Sequence, residues 1–329
     1  LLRGKFACVA IGTRMHRGKR RGADARGAVC NNLDNAAAHT ADVRQEIVMP
    51  YSATRIASTT MLLALVAASC ATTPREPADT VTAAALDGIL AADHRSPEHK
   101  ARDAYRHPKE TLVFFGIKPE MTVVEVWPGG SGWYTEIIAP LVAERGKYYA
   151  AHWAPVPDNK FITGNLQQYA DKLAGRPDLY GKVSVTALGS NALEIAPAGS
   201  ADMVVTFRNI HNWMGRDFHD AAFKAMYTAL KPGGILGVVE HRGDPKVPQD
   251  PKAKSGYVNE DYAIELVERA GFEFVGKSDI NANPKDTKDY EQGVWTLPPT
   301  LRLGNTDRAK YLAIGESDRF TLKFRKPAQ

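Results

Sequence analysis

The sequence predicts an α/β protein built on a doubly wound, mostly parallel sheet of about seven strands. Three observations predict it. From about Val81 onward, short apolar runs alternate with stretches of helical period, and βαβ alternation lays parallel strands between two helical layers. The first strong apolar run leads into a glycine-rich turn and a helix signal, "VEVWPGGSGWYT" at 124–135. A later helix ends at Lys231-Pro232-Gly233-Gly234, just before the run "ILGVVE", and that is a stop signal between helix and strand.

Taken in order, helices are expected at 96–105 and at Pro108–Phe115, with Pro108 suited to a first helical turn. "MTVVEV" reads as strand one, 135–143 as a helix, "KYYAA" as strand two and 161–174 as a helix. "VSVTAL" and "ADMVVTF" are strands three and four; 218–230 is a helix and "ILGVVE" is strand five. A helix at 260–270 stops at Gly271, and "FEFVGKS" and "RFTLKFRK" complete the set. Right-handed crossovers gather the strand C-terminal ends at one edge, where ligands bind. The loops after Val126, Ala151, Thr186, Phe207 and Glu240 are therefore the candidates. The irregular stretch "NANPKDTKDYEQGVWTLPPTLRLG" has the length of a lid, with Lys285, Asp286, Lys288, Asp289 and Tyr290 as groups to close over substrate.

The N-terminal part obeys other rules. Residues 1–48 carry nine Lys/Arg and four Asp/Glu, so they hold the whole formal net charge of +5. The rest is neutral, which gives no electrostatic case for nucleic acid. Residues 1–48 lack helix or strand period and read as disordered, an upstream extension before a start at Met49 or a basic arm. In "MPYSATRIASTTMLLALVAASC" one Arg precedes a short apolar run and small residues, the pattern of a secretory signal. Val66-Ala67-Ala68-Ser69-Cys70 resembles a lipobox, with Cys70 as the lipidated residue; an ordinary cleaved signal and a buried helix are the alternatives. Such an anchor binds a membrane without a spanning helix. Residues 71–80 read as a tether, and 81–329 as the folded domain, which has no cysteine. No disulfide, cysteine-based zinc site or cysteine nucleophile is available there.

Gly129, Gly130 and Gly132 permit close backbone approach and positive φ, and the helix behind them favours a carboxylate or phosphate. A dinucleotide fits poorly. Thr135 stands where the third glycine of G-x-G-x-x-G belongs, and His152 where strand two should end in an acid. The region from about Arg102 to Glu240 resembles class I S-adenosylmethionine-dependent methyltransferases, through "VVEVWPGGSGWYTEI", "ADMVVTFRNIHNW" and "ALKPGGILGVVEHR". More closely, "WPGG", "GWYTEI", "RNIHNW", "YVNEDY", "NANPKDTKDYEQGVWTLPP" and "GESDRFTLKF" are similar to exported bacterial predicted methyltransferases. The resemblance implies a Rossmann-like fold whose last strand is antiparallel, with S-adenosylmethionine as cofactor and a small-molecule acceptor. It implies Glu125 near the methionine amino group, and the loop Gly129, Gly130, Gly132, Tyr134 and Thr135 against the ligand. It places His152 at the ribose, Ser190 or Asn191 at the adenine edge, and Arg208 and Asn209 beside the methionine and acceptor. Two departures stand out: Trp127 replaces the first glycine, and a neutral His replaces the ribose acid.

For chemistry, His211 follows strand four, while Glu240 and His241 end strand five. His211 is the candidate base or acceptor-orienting group; a loop-fixing role is the alternative, and Glu240-His241 read as a loop pair with Arg242 or as catalytic partners. No H-x-x-x-H or H-E-x-x-H spacing exists, so no metal centre is predicted, although His107, His211 and His241 could converge. Trp127, Trp133, Tyr134 and Trp153 are expected around the site, either packed or facing a sulfonium.

Overall fold

Seven strands form one sheet: β1 (Thr122–Val126), β2 (Lys147–Trp153), β3 (Ser184–Leu188), β4 (Ala201–Phe207), β5 (Leu230–His241), β6 (Glu273–Ser278) and β7 (Arg319–Arg325). This is a computed structural model that describes residues 80–328. The readings made for the arm, the signal, the lipobox at Cys70 and most of the tether lie outside those residues. The strand order is β3-β2-β1-β4-β5-β7-β6. β1 pairs in parallel with β2 and β4, β2 with β3, and β4 with β5. β7 is inserted antiparallel between β5 and β6. That order and that single reversed strand make the class I methyltransferase fold expected above.

The helices are α1 (Thr80–Ala91), α2 (Pro97–Lys100), α3 (Asp103–Arg106), α4 (Pro108–Phe115), α5 (Thr135–Val142), α6 (Lys160–Gly175), α7 (Pro177–Tyr180), α8 (Ile210–Gly215), α9 (His219–Ala229), α10 (Glu260–Arg269) and α11 (Arg308–Ile314). Strand side chains alternate between two cores, as a pleat with helices on both faces requires. Val124 and Val126 pack with Trp213, Phe223 and Leu266 from α8, α9 and α10. Val123 and Val205 pack on the other face with Leu86, Phe115 and Ile137 from α1, α4 and α5. Burying each such side chain contributes about 1.5–3 kcal/mol.

Three elements differ from expectation. The helix at 96–105 is two short ones, α2 and α3. The chain between α3 and α4 turns at His107, which is left-handed at φ 38° and caps α3, its N–H donating to the Asp103 carbonyl at 2.8 Å, while Pro108 after it keeps it out of the right-handed helical region. Residues 231–234 do not form a loop between helix and strand. Helix α9 stops at Ala229, and Lys-Pro-Gly-Gly bulges inside β5, shifting the register against β4 between Ala201 and Met203. A proline and glycines belong at such a bulge. The lid sequence contains a 3₁₀ turn at Gly293–Thr296 and is followed by helix α11.

The chain lays β1, β2 and β3 to one side and then returns to place β4 beside β1. The C-terminal ends of β1 and β4 therefore form the switch point at which a crevice opens. Among the described residues, no helix is long and apolar enough to cross a membrane.

Candidate functional site

A cavity of about 410 Å³ lies at that switch point. One wall is residues 127–131 of the glycine loop, backed by Asn165 and Gln168 of α6. The loop after β4 contributes Phe207, Arg208 and Asn209, followed by His211 on α8. His241 and Arg319 come from β5 and β7, Arg102 and Arg106 from the α3 segment, and Trp295 and Pro298 from the lid.

The glycine loop is tightly committed to the protein. Trp127 has φ 52°, a left-handed conformation suited to the glycine it replaces and strained for a bulky residue. Its indole Nε1–H donates to the Leu188 carbonyl at 3.1 Å, and its ring packs on Trp153 and Trp213. The Gly130 N–H donates to Asn165 Oδ1 at 3.0 Å, and a Cβ there would strike Gln168. At Gly129, with φ 72°, a Cβ would meet nothing within 4 Å. Beyond Trp127 and Trp153 a second hollow of about 280 Å³ is lined by Gly189, Ser190 and Asn191.

Glu125, Thr135 and His152 lie behind the loop and line neither hollow. The Glu125 carboxylate accepts from Tyr148 and, at 3.2 Å, from Thr135 Oγ1. Burial pushes its carboxyl up to about 7, against those hydrogen bonds. His152 is fully buried, and its Nδ1 accepts from the Trp153 N–H at 2.8 Å. Burial lowers it to about 4, partly offset by the Gly129 backbone. Both side chains expected to face the ligand are buried in this structure. Gly132 and Tyr134 are likewise packing positions. A Cβ on Gly132 would press on Tyr169, and Tyr134 stacks on Phe207 with ring centroids 3.5 Å apart.

The opposite wall is cationic. Glu316 ion-pairs with Arg102 at 2.6 Å, with Arg106 at 3.5 Å and with Arg319. Burial alone would raise the Glu316 carboxyl; the Arg319, Arg106 and Arg102 charges overcome this and hold it well below the usual carboxylate range. Arg106 is buried over the Trp133 ring, 4.5 Å from its centroid, and its Nε makes no hydrogen bond. Arg208 sits at φ 61°, lines the cavity and has no side-chain hydrogen bond or ion pair among the described residues. Lost hydration and the nearby Arg319 charge lower it to about 10, so it stays charged at neutral pH.

Between the two walls stands a dyad. His211 Nδ1 is 3.1 Å from Glu240 Oε1, and its Nε2 is 3.0 Å from the Asn212 amide nitrogen. With Nδ1–H donating to the carboxylate, Nε2 carries the lone pair. Glu240 also accepts from the His241 N–H at 2.8 Å. His241 Nδ1 lies 2.6 Å from Ser317 Oγ, and burial, reinforced by His211 and Arg319, drives its pKa well down, so the ring is neutral. Ligand atoms of His211, Glu240 and His241 all lie within 4.8 Å of one another. His107 is not in this cluster. Arg242 is not the partner of Glu240 and His241: it pairs with Glu260, Asp279 and Asp318.

Among the predicted positions, Gly129, Gly130, Arg208, Asn209, His211 and His241 meet at the cavity, with Glu240 just behind; Ser190 and Asn191 line the second hollow. Asn209 also ties β1 to β4, donating to the Val126 carbonyl at 2.9 Å and to Thr206 Oγ1 at 3.0 Å. The charged half of the lid is an anchor, with Asp286 buried and accepting from Tyr257 and from the Asp318 N–H. It is Trp295 and Pro298 that wall the cavity. Arg102 and Arg106 had no motif to mark them, and Glu316 and Arg319, though inside "GESDRFTLKF", were not tied to the site.

No protein-family model matches this chain, and no curated protein matches it. Solved structures do share its architecture. The [4+2]-cyclase SpnF is 16% identical with a TM-score of 0.51, over 73% of this chain and 86% of that one. A SAM-dependent methyltransferase from Aquifex aeolicus is 15% identical with a TM-score of 0.47, over 74% and 98%. Phosphoethanolamine N-methyltransferase 2 of Haemonchus contortus, in complex with S-adenosyl-L-methionine, is 16% identical with a TM-score of 0.44, over 74% and 56%. At such identities the likeness is one of fold, and function must be argued from the site.

Proposed function

We propose that the protein is an S-adenosylmethionine-dependent methyltransferase acting on a small acceptor. The observation that carries this is the meeting of a glycine loop and a His211–Glu240 dyad in one cavity at the β1/β4 switch point. The cofactor fits in two parts. The open space at Gly129 and the N–H groups of Gly129 and Ser131 suit its amino-acid end. Trp153, Ser190 and Asn191 would hold adenine in the second hollow. When bound, the cofactor supplies an electrophilic methyl group on a sulfonium. The chain's residues do the rest. Glu240 fixes the His211 tautomer, and Nε2 takes the acceptor's proton once the acceptor displaces the Asn212 amide. Trp295 and Pro298 shield the cavity from water.

Calorimetric titration of the full chain with S-adenosylmethionine and S-adenosylhomocysteine tests this: saturable heat is expected, and silence at millimolar cofactor ends the reading. In an active preparation, His211→Gln should lower kcat about 100-fold while leaving S-adenosylhomocysteine affinity unchanged.

One group of observations favours a second reading, a non-catalytic small-molecule binder. Trp127 is wedged beside Leu188, the Gly130 amide is spent on Asn165, and His152 faces away from both hollows. Such a protein would bind a ligand at the arginine wall without binding S-adenosylhomocysteine. In either case we place it at the cell envelope, exported by residues 49–70 and held by a lipid on Cys70. The lipobox pattern supports this, and Cys70→Ser should move the protein from the membrane to the soluble fraction.

A further inference from the structure

We infer that the acceptor is an oxyanion, a small carboxylate or phosphate, gripped at the β4–β5–β7 side of the cavity by Arg208 and Arg106. The naming of this anion as acceptor rests on the methyltransferase reading; its binding does not. Four guanidiniums line this wall, and among the described residues Glu316 is the carboxylate that ion-pairs with them. Arg102, Arg106 and Arg319 all pair with it, yet each keeps a buried nitrogen that makes no hydrogen bond: Arg102 Nη2, Arg106 Nε and Arg319 Nε. Arg106 is 4% exposed, with its Nε 3.5 Å from Glu316; the half-buried Arg208 spends its backbone N–H on the Val239 carbonyl, and its guanidinium has no hydrogen bond or ion pair among the described residues. Four guanidiniums set against one carboxylate leave cationic donors open to a ligand anion. Glu240 is turned to His211 and to the His241 N–H and ion-pairs with none of the four guanidiniums. The missing partner is a planar or tetrahedral oxyanion, the shape that a guanidinium fork matches.

Strain supports the same reading. Arg208 is held at φ 61°, a backbone state that long side chains avoid and that persists at ligand clamps. The cofactor's own carboxylate is one charge and travels with a sulfonium, which an uncompensated guanidinium wall repels. A second anion removes that repulsion. The wall also lies past the β4 end, away from the β2 and β3 ends that border the second hollow.

The test uses the full chain at low ionic strength, with inorganic phosphate and malonate as separate probes followed by melting temperature and calorimetry. Saturable binding of at least one probe is expected, and which one binds tells phosphate from carboxylate. Arg208→Asn, suited to a left-handed backbone, should weaken it about tenfold or more, and Arg208→Lys by less. S-adenosylhomocysteine affinity should change less than threefold in both variants. Absence of a saturable response to either probe in the wild type overturns the proposal, and so does equal binding by Arg208→Asn. If S-adenosylhomocysteine affinity falls in step with the anions, Arg208 holds the cofactor carboxylate and the assignment to the acceptor fails. If anions bind and S-adenosylhomocysteine does not, the cofactor reading fails and the anion site stands.

Discussion

The glycine-loop wall and the arginine wall face the same cavity and are built by opposite rules. On the loop side, polar groups are consumed by the protein: Trp127 Nε1 by Leu188, the Gly130 N–H by Asn165, Glu125 by Tyr148 and Thr135. On the arginine side, one carboxylate is divided among three guanidiniums, and Arg208 has none. A satisfied wall gives shape and rigidity. An unsatisfied one stores a demand for a ligand. The motif that looks most functional in this sequence is thus the more structural half of its site.

The largest effect should come from removing the shared carboxylate. Glu316→Gln leaves buried guanidiniums uncompensated and should cost about 3–5 kcal/mol of stability, measured by urea denaturation. Added phosphate should restore part of the loss, and no loss at all would show that the arginine wall does not depend on Glu316. Next comes the loop. Trp127→Gly relieves the positive φ but deletes a packed indole, a net cost of about 2–4 kcal/mol. If the indole is what narrows access to the second hollow, the same variant should bind S-adenosylhomocysteine more tightly; unchanged or weaker binding would make it part of the binding surface.

A third prediction concerns pH. Glu125 is raised from 4.5 to about 7, so the folded state holds a proton that the unfolded state releases. Its contribution is full below about pH 4.5 and is lost as pH rises toward 7, by about 3 kcal/mol at most. His152 is lowered from 6.5 to about 4, so its contribution is present above pH 6.5 and is lost as pH falls toward 4. The two slopes oppose each other between those limits. Glu125→Gln should leave the His152 slope, with stability rising from pH 4 to 6.5 in chemical denaturation; an unchanged profile would mean that the Glu125 carboxyl titrates normally. The smallest effect is at Arg208. Arg208→Asn should raise the melting free energy by up to about 1 kcal/mol, since Asn tolerates the left-handed region, and a loss of stability would mean the wall needs that charge to fold.

Much of the architecture was legible because local patterns carry it. The runs "TVVEV" and "ADMVVTF" are parallel strands buried at all but one position each, and they read as such. Boundaries slipped where tertiary contacts decide, as at the bulge in residues 231–234 and the break between α2 and α3. At the site, Gly129, Arg208, Asn209, His211 and His241 were legible because they follow strand ends, and strand ends gather by topology.

By itself the sequence determined the alternation of elements, the edge where ligands bind and the placing of His211, Glu240 and His241 at neighbouring strand ends, since these follow from short-range periodicity and crossover handedness. Only the tertiary structure decided the direction of each side chain and the company it keeps. Arg102, Arg106, Arg208 and Arg319 stand up to 217 positions apart in the chain, and nothing local announces that they share one cavity, three of them on one carboxylate. Charge becomes informative only when folding removes the water that would otherwise screen it.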